Sequence, residues 1–368
     1  MDWLLELKLK ALANALIDQA KAKLVIPPHR GEAGFWFGSG NMLAQPDGSF
    51  LLVGRYRHDG DSRRGAAPHE RGVELAVFQA PSPLGPFEKI VSLDKQQLAA
   101  GGGAEVLSIE GASLYLGNNG VELFVSSEKR VPYPPGLEMY QKPGTGVWSI
   151  DVLRGRSLAS LAGADVVPVL KSEDPPFLHV KDPMVFTSPE GNDAMVYCSH
   201  PFTWTSTNAG LALRESGETW FYKVTDNMFP RGFVWDVAAI RITSRLPVPP
   251  LGMFASLPEI SLYFYDGAEC MRKLDDHPTA MHRPRGYSCE EIGGLAAGYD
   301  DTFPELERLS IDAPMFVSPH GTGCSRYVST LVTSDSLVAT WQQSQPDGSQ
   351  ALVGHTLPLE VAEKLLGS

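Results

Sequence analysis

Cysteine is scarce in this chain. It has four among 368 residues, and no two of them stand in a Cys-x-x-Cys pair. That excludes a disulfide-dense small scaffold and the usual zinc-ribbon spacings. Cys198, Cys270, Cys289 and Cys324 are therefore expected to be reduced thiols. Three of them share a region with His277, His282 and His320, but the spacing matches no zinc motif. Basic charge is also short: 31 Lys and Arg face 43 Asp and Glu, for a net charge of −12. Nucleic acid is not an expected partner of such a chain. No apolar run approaches the roughly 20 residues that a bilayer span needs. The opening Met1-Asp2-Trp3-Leu4-Leu5-Glu6 places acids before any base, unlike a secretory signal. A cytoplasmic protein without membrane contact is the expectation. The run Gly101-Gly102-Gly103 lacks the Lys-Ser/Thr that completes a phosphate loop.

Turn chemistry, by contrast, is plentiful. Gly (36) and Pro (29) are frequent, as they are where many tight turns join short strands. Residues 35–44, 50–57, 72–78 and 87–93 read as four successive strands. The next group, about 104–170, holds Val106–Leu116, an Asn118-Asn119-Gly120 hairpin turn, Val121–Ser126 and Gly146–Leu153. A third covers about 177–229, a fourth begins at Phe233 and includes Ile260–Tyr265, and a fifth begins near Leu309. Residues 3–24 carry helical spacing in Leu4, Leu5, Leu12, Leu16 and Ile17, and Leu359–Leu366 reads as a closing helix. Two loops stand out, a charged one at 58–71 and a long insertion at about 266–308.

In each group a polar residue interrupts an apolar strand: Asn41, Glu110, Asp182, Asp236 and Asp312. The steps between them are 69, 72, 54 and 76 residues. Strand groups at that period suggest propeller blades, in which the first strand of each blade lines a shared funnel. The expected fold is all-β, a five-bladed β-propeller with an N-terminal helix. Residues 1–28 form the helix packed on the domain, and residues 29–368 form the propeller. The five marked residues then converge, four of them carboxylic acids.

At this point particular segments resemble a known group. Val180-Lys181-Asp182-Pro183-Met184-Val185-Phe186, Ala80-Pro81-Ser82-Pro83-Leu84-Gly85-Pro86-Phe87-Glu88, Trp148-Ser149-Ile150-Asp151 and Tyr263-Phe264-Tyr265-Asp266-Gly267 look like parts of the five-bladed propeller glycosidases, the superfamily of glycoside hydrolase families 43 and 32. The resemblance implies a glycoside hydrolase that cleaves a small glycoside or oligosaccharide by carboxylate acid/base catalysis in the axial funnel. It implies a base on the first blade, an orienting Asp on the third and a general acid on the fourth. Asp182 matches the third position and Asp236 the fourth, where family 43 would supply Glu. Asn41 stands at the first and cannot act as a base, which leaves Glu110 or Glu32 to compensate.

The candidate catalytic residues are thus Glu110, Asp182 and Asp236. Asn41, Arg55, Arg57, Trp36, Trp235, His200, Asp312 and His320 are candidates for binding substrate. Arg55 and Arg57 alternate on one strand and so share a face. Guanidinium forks recognise carboxylate, phosphate or sulfate, so the small saccharide is either neutral or anionic. The tryptophans offer stacking faces to sugar rings. Glu290 and Glu291 could supply an acid or anchor a loop. No cofactor is implied, and a metal ion in the axial channel is left open. The rival functions are a glycoside phosphorylase of similar fold and a non-catalytic carbohydrate-binding propeller.

Overall fold

Short loops rich in Gly, Asn and Asp leave most strands no route but back along their neighbours, so the sheets are antiparallel meanders. The computed structural model describes residues 1–59, 69–99, 103–203, 206–270 and 290–367. Helix α1 (Trp3–Leu16) is capped by the Asp2 side chain, which accepts from the Leu4 N–H. Strand β1 (Lys23–Ile26) follows. The first unit holds β2 (Phe35–Gly38), β3 (Met42–Ala44), β4 (Phe50–His58), β5 (Arg71–Ala80), β6 (Glu88–Asp94) and the short α2 (Lys95–Ala99). The second holds β7 (Val106–Gly117), β8 (Gly120–Lys129), β9 (Val147–Gly155) and β10 (Val166–Leu170). The third holds β11 (His179–Thr187), β12 (Asp193–His200), β13 (Asn208–Arg214) and β14 (Tyr222–Phe229). The fourth holds β15 (Ala239–Pro247), β16 (Ile260–Ala268), β17 (Ile292–Tyr299) and β18 (Glu307–Arg308). The last holds β19 (Ser325–Val332), β20 (Ser336–Ser344) and β21 (Gln350–Pro358), followed by α3 (Leu359–Leu366).

Three of these units are separate four-stranded sheets. The first and last units join in one nine-stranded sheet, because β2 bridges β4 and β21. Strand β1 pairs antiparallel with β21, so the start of the chain completes the last unit. Residues 23–26 therefore belong to the sheets rather than to a helical extension. No single ladder closes the molecule. Instead the first strands touch in sequence, β3 to β7 to β11 to β15 to β19 and back to β3. Polar side chains staple these steps. The Asn41 amide donates to the Leu114 C=O at 2.9 Å and accepts from its N–H at 2.8 Å. Ser113 Oγ accepts from Val185 N, Ser244 Oγ from Thr330 N, and Ser329 Oγ from Met42 N.

Apolar packing fills the space between units. Leu5, Leu9, Leu12 and Leu16 of α1 join Ala362 and Leu366 of α3 over Trp341 and Phe264. Burying four leucines at about 2 kcal/mol each is what holds α1 down. Among the described residues, no helix is long and apolar enough to cross a membrane. Cys198 and Cys324 are buried free thiols. Cys270 is in a disulfide, which corrects the expectation for that residue.

The groups predicted from the sequence match the units closely in the first three. In the fourth and fifth the first strands differ. They are β15 at 239 and β19 at 325, not strands starting at Phe233 and near Leu309. Strands β17 and β18 lie inside what reads as an insertion. Gly293, Gly294 and Gly298 weaken the strand signal of β17, and Phe316, Tyr265 and Leu306 press where their side chains would be. Cys289, His277, His282, Trp204, Arg63 and Arg64 fall outside the described residues.

Candidate functional site

Every first strand carries an irregularity at the same level. The β11 register shifts between Lys181 and Met184, that of β7 between Ile109 and Ala112, that of β15 between Ile242 and Ser244, and that of β19 between Arg326 and Ser329. In the first unit the strand is broken between β2 and β3, at Ser39-Gly40-Asn41. Bulges re-aim side chains, and here they turn them toward the axis. Among the described residues, four non-glycine residues have positive φ: Ser39 (70°), Arg71 (60°), Asp182 (54°) and Tyr327 (54°). Such backbone costs about 1–3 kcal/mol per residue and collects at functional sites. Three of the four line one cavity open to solvent, with Gly111, Met184 and Arg241. First strands of all five units contribute to its wall.

Among the described residues, Asp182 is the one carboxylate in that wall. Its Oδ1 accepts from the Gly111 N–H at 2.8 Å, and its Oδ2 faces Arg241 Nε at 3.2 Å and Lys181 Nζ at 3.6 Å. Ser126 of β8 locks the corner, accepting from Asp182 N and donating to the Gly111 C=O. Gly111 is needed here, because a Cβ would lie 2.4 Å from Asp182 Oδ1. Arg241 is the hub. Besides Asp182 it contacts Glu291, and its Nη1 is 3.6 Å from Asp266 Oδ2. Its guanidinium lies 4.1 Å from the Tyr327 ring centroid. Asp266 accepts from Tyr327 N at 3.0 and 3.1 Å, so β16 fixes the strained residue of β19.

The carboxyl groups around Arg241 are driven apart in acidity. Burial pushes Asp266 up to about 7, with Arg241 opposing and Glu291 adding to the rise. Glu291 is held well below the ordinary range: burial opposes this, but Arg241 and Arg326 outweigh it. Arg326 also bonds Glu291, whose side chain keeps 19% exposure.

Next to this cluster, Glu110 sits among three guanidiniums. Arg55 Nη2 is at 3.2 Å, Arg57 Nη1 at 3.4 Å and Arg71 Nη2 at 3.7 Å. Ser108 Oγ donates to it at 2.8 Å. Despite burial, the arginines hold Glu110 well below the ordinary range. It is ionised at neutral pH and holds no proton to donate. Arg71 also bonds Glu128. Trp36 lies at this level, 5.1 Å from the Arg57 guanidinium and 5.9 Å from that of Arg326. Buried His200 stands across β12 from His179, and burial holds it well below its ordinary value.

Other candidates lie elsewhere. Asp236 is outside the cavity wall. It is fully buried, with Arg308 Nε of β18 at 2.9 Å and the Tyr265 hydroxyl at 3.1 Å. Trp235 packs on Tyr265 and donates Nε1–H to the Ser310 C=O, inside the fourth unit. Asp312 and His320 are exposed. Glu32 is exposed and faces Arg30 at 3.4 Å. Asn41 does line the cavity, but its amide is occupied by Leu114. Sequence reasoning did not single out Arg241, Asp266, Arg326 or Tyr327, and it left Glu291 between two readings. Asp266 was in view, within Tyr263-Phe264-Tyr265-Asp266-Gly267, without a role. Among the described residues, no group of three or more His, Cys, Asp or Glu is placed to hold a metal ion.

No family model matches this chain, and no curated protein matches it. Solved structures do. A thermostable family-43 glycoside hydrolase superposes with a TM-score of 0.54 at 11% identity, over 90% of this chain and 92% of its own. The GH43_1 enzyme from Xanthomonas citri complexed with xylotriose gives 0.52 at 10% identity, over 96% and 93%. Native Bacillus subtilis arabinanase gives 0.50 at 10% identity, over 91% and 97%. At such identities the shared property is the fold, and it extends over nearly the whole chain.

Proposed function

We propose that this chain is a glycoside hydrolase, built as a five-bladed propeller of the family 43 type, that cleaves a small saccharide at the axial cavity. The observation that carries the reading is the placement of three carboxyl groups, Asp182, Glu291 and Asp266, around the single guanidinium of Arg241, which lines that cavity together with Asp182. Glycosidic cleavage needs one carboxyl that holds a proton for the leaving oxygen and one ionised carboxylate that activates water or attacks the anomeric carbon. Neighbouring acids whose acidities are pushed apart supply that division. In this reading Asp266, raised to about 7, keeps the proton. Glu291, lowered and part exposed, is the working carboxylate. Asp182 fixes Arg241 and meets the substrate in the cavity wall. Glu110 is the counter-charge for Arg55, Arg57 and Arg71 rather than a proton donor, and Asp236 serves the fourth unit rather than the reaction. Trp36 offers a stacking face.

The test is a panel of aryl glycosides, with arabinofuranoside, xyloside, galactoside and uronide members. The wild type should turn over at least one. Asp182→Asn and Glu291→Gln should lose that turnover by at least about 100-fold. If the wild type cleaves none, while both variants bind saccharides as it does, the non-catalytic binding propeller is the better account.

A further inference from the structure

Among the described residues, the ion pairs of the axial cluster join six basic side chains to five carboxyl groups, and Glu290 acts on Arg326 without an ion pair. Arg55, Arg57, Arg71, Lys181, Arg241 and Arg326 come from four of the five units and meet within it. The carboxyl groups they contact are Glu110, Glu128, Asp182, Asp266 and Glu291. Three guanidiniums share Glu110, which can neutralise only one of them. Burying a surplus charge is costly unless something compensates it. Arg57 registers the surplus: burial, and then Arg55, Arg71 and Arg326, hold it down to about 10 against the pull of Glu110. Burial raises Asp266 to about 7, which widens the excess near neutral pH, and it raises Glu128 in the same direction. Some donors have no acceptor among the described residues. Arg55 Nε, Arg71 Nη1 and Arg241 Nη1 make no hydrogen bond, and neither does Ser39 Oγ in the cavity wall. Arg57 and Arg326 keep 21% and 14% side-chain exposure, so solvent reaches them.

We propose that this cationic collar binds an oxyanion of the substrate, with Arg57 and Arg326 as its outer fork and Arg241 beneath. Guanidinium pairs recognise carboxylate and phosphate oxygens in this way. The oxyanion comes from one of two sources: a carboxylate on the sugar itself, or inorganic phosphate taking the place of water. In the second case a phosphate oxygen bonds to the anomeric carbon as the glycosidic C–O bond breaks. The departing oxygen takes the proton from Asp266, and a sugar 1-phosphate is released. The inference rests on the axial cavity being the saccharide site, but its test needs no turnover.

The experiment is calorimetric titration of the full chain at neutral pH and low salt. Three probes are used: D-glucuronate against D-glucose, D-galacturonate against D-galactose, and inorganic phosphate alone. At least one uronate should bind tenfold or more tighter than its neutral counterpart, or phosphate should bind saturably. Arg57→Gln and Arg326→Gln should each weaken that binding at least fivefold. If those variants do not fold, wild-type affinity for the oxyanion must fall at least fivefold between 20 and about 300 mM NaCl, as screening requires, while neutral sugars are unaffected. Uronate binding alone assigns the charge to the sugar, and phosphate binding alone assigns it to the attacking group. Oxyanions that bind no better than neutral sugars, or whose binding ignores both arginines and salt, overturn the proposal. Turnover of a neutral glycoside with no oxyanion binding sinks this inference and leaves the hydrolase standing. The opposite pattern does the reverse.

Discussion

Two buried networks of acids and arginines can be set side by side. One lies between the second and third units. There Arg214 bonds Glu122, and its Nε bonds Asp193 at 2.9 Å, while Arg154 Nε bonds Glu122 at 2.8 Å. Two bases meet two acids, Tyr115 completes Asp193, and the Arg214 guanidinium lies 4.7 Å from the Phe221 ring centroid. The axial network differs on each count. Its ion pairs join more bases than acids, its backbone is strained at Arg71, Asp182 and Tyr327, and it borders a cavity. Both networks contain strongly shifted groups, so a shifted pKa does not by itself separate a structural site from a working one. Balance, strain and access do.

The sharpest break of this comparison is mutational. Arg214→Met removes one partner of a balanced pair and leaves Glu122 buried with only Arg154. It should cost about 3–5 kcal/mol in urea unfolding and leave turnover within twofold. Glu291→Gln in the axial network should show the inverse, with turnover down about 10²–10⁴-fold. If Arg214→Met abolishes turnover in protein that is still folded, the division between the two networks is wrong.

Asp236→Asn sharpens the same division one step down. Its carboxylate pairs with Arg308 on the outer strand β18, so the substitution should destabilise by about 3 kcal/mol while activity changes little. A large loss of turnover at unchanged stability would return Asp236 to the reaction. This residue also shows what the sequence could not disclose. Asp236 and Asp312 are spaced like axial residues, but β15 and β19 begin only after them, at Ala239 and Ser325. The axial positions in those units are Arg241 and Tyr327, a base and an aromatic that no search for acids would find. Asp182 was legible because it interrupts an apolar strand at the repeat spacing, within a segment that resembles the propeller glycosidases. Arg55 and Arg57 were legible from alternation alone, and both reach Glu110. The strands of the first three units were legible because Gly and Asn-Gly turns punctuate them. Strand β17 was hidden by glycines that yield their space to aromatic neighbours.

A smaller effect tests the strained corner itself. The Cβ of Gly111→Ala would lie 2.4 Å from Asp182 Oδ1 and 3.0 Å from Ser39 Oγ. The carboxylate has to move, and turnover should fall about tenfold or more, as expected for displacement of a positioned group. Gly163, with no atom within 4 Å of its Cβ position and, like Gly111, no positive φ, is the matched control. Equal losses at Gly111 and Gly163 would show that the fit against Asp182 is not responsible.

The last effect concerns pH, and its sign separates the networks once more. Asp266 is raised from 3.8 to about 7 by burial. Between those values the folded protein keeps a proton that the unfolded chain has already released. Stability must therefore decline as pH rises through that window. Glu122 is lowered by Arg214 and Arg154 against the effect of burial, so its contribution has the opposite slope and is lost only as pH falls below the ordinary carboxylate range. Asp266→Asn cannot titrate. The stability difference between wild type and variant should shift toward the variant on going from pH 4 to pH 8, by about 1.4 kcal/mol for each pKa unit separating folded from unfolded Asp266. Urea midpoints at half-unit intervals measure it. A difference that does not vary with pH would mean that Asp266 is already ionised at pH 4. The proton assigned to the leaving group would then have to come from elsewhere in the site.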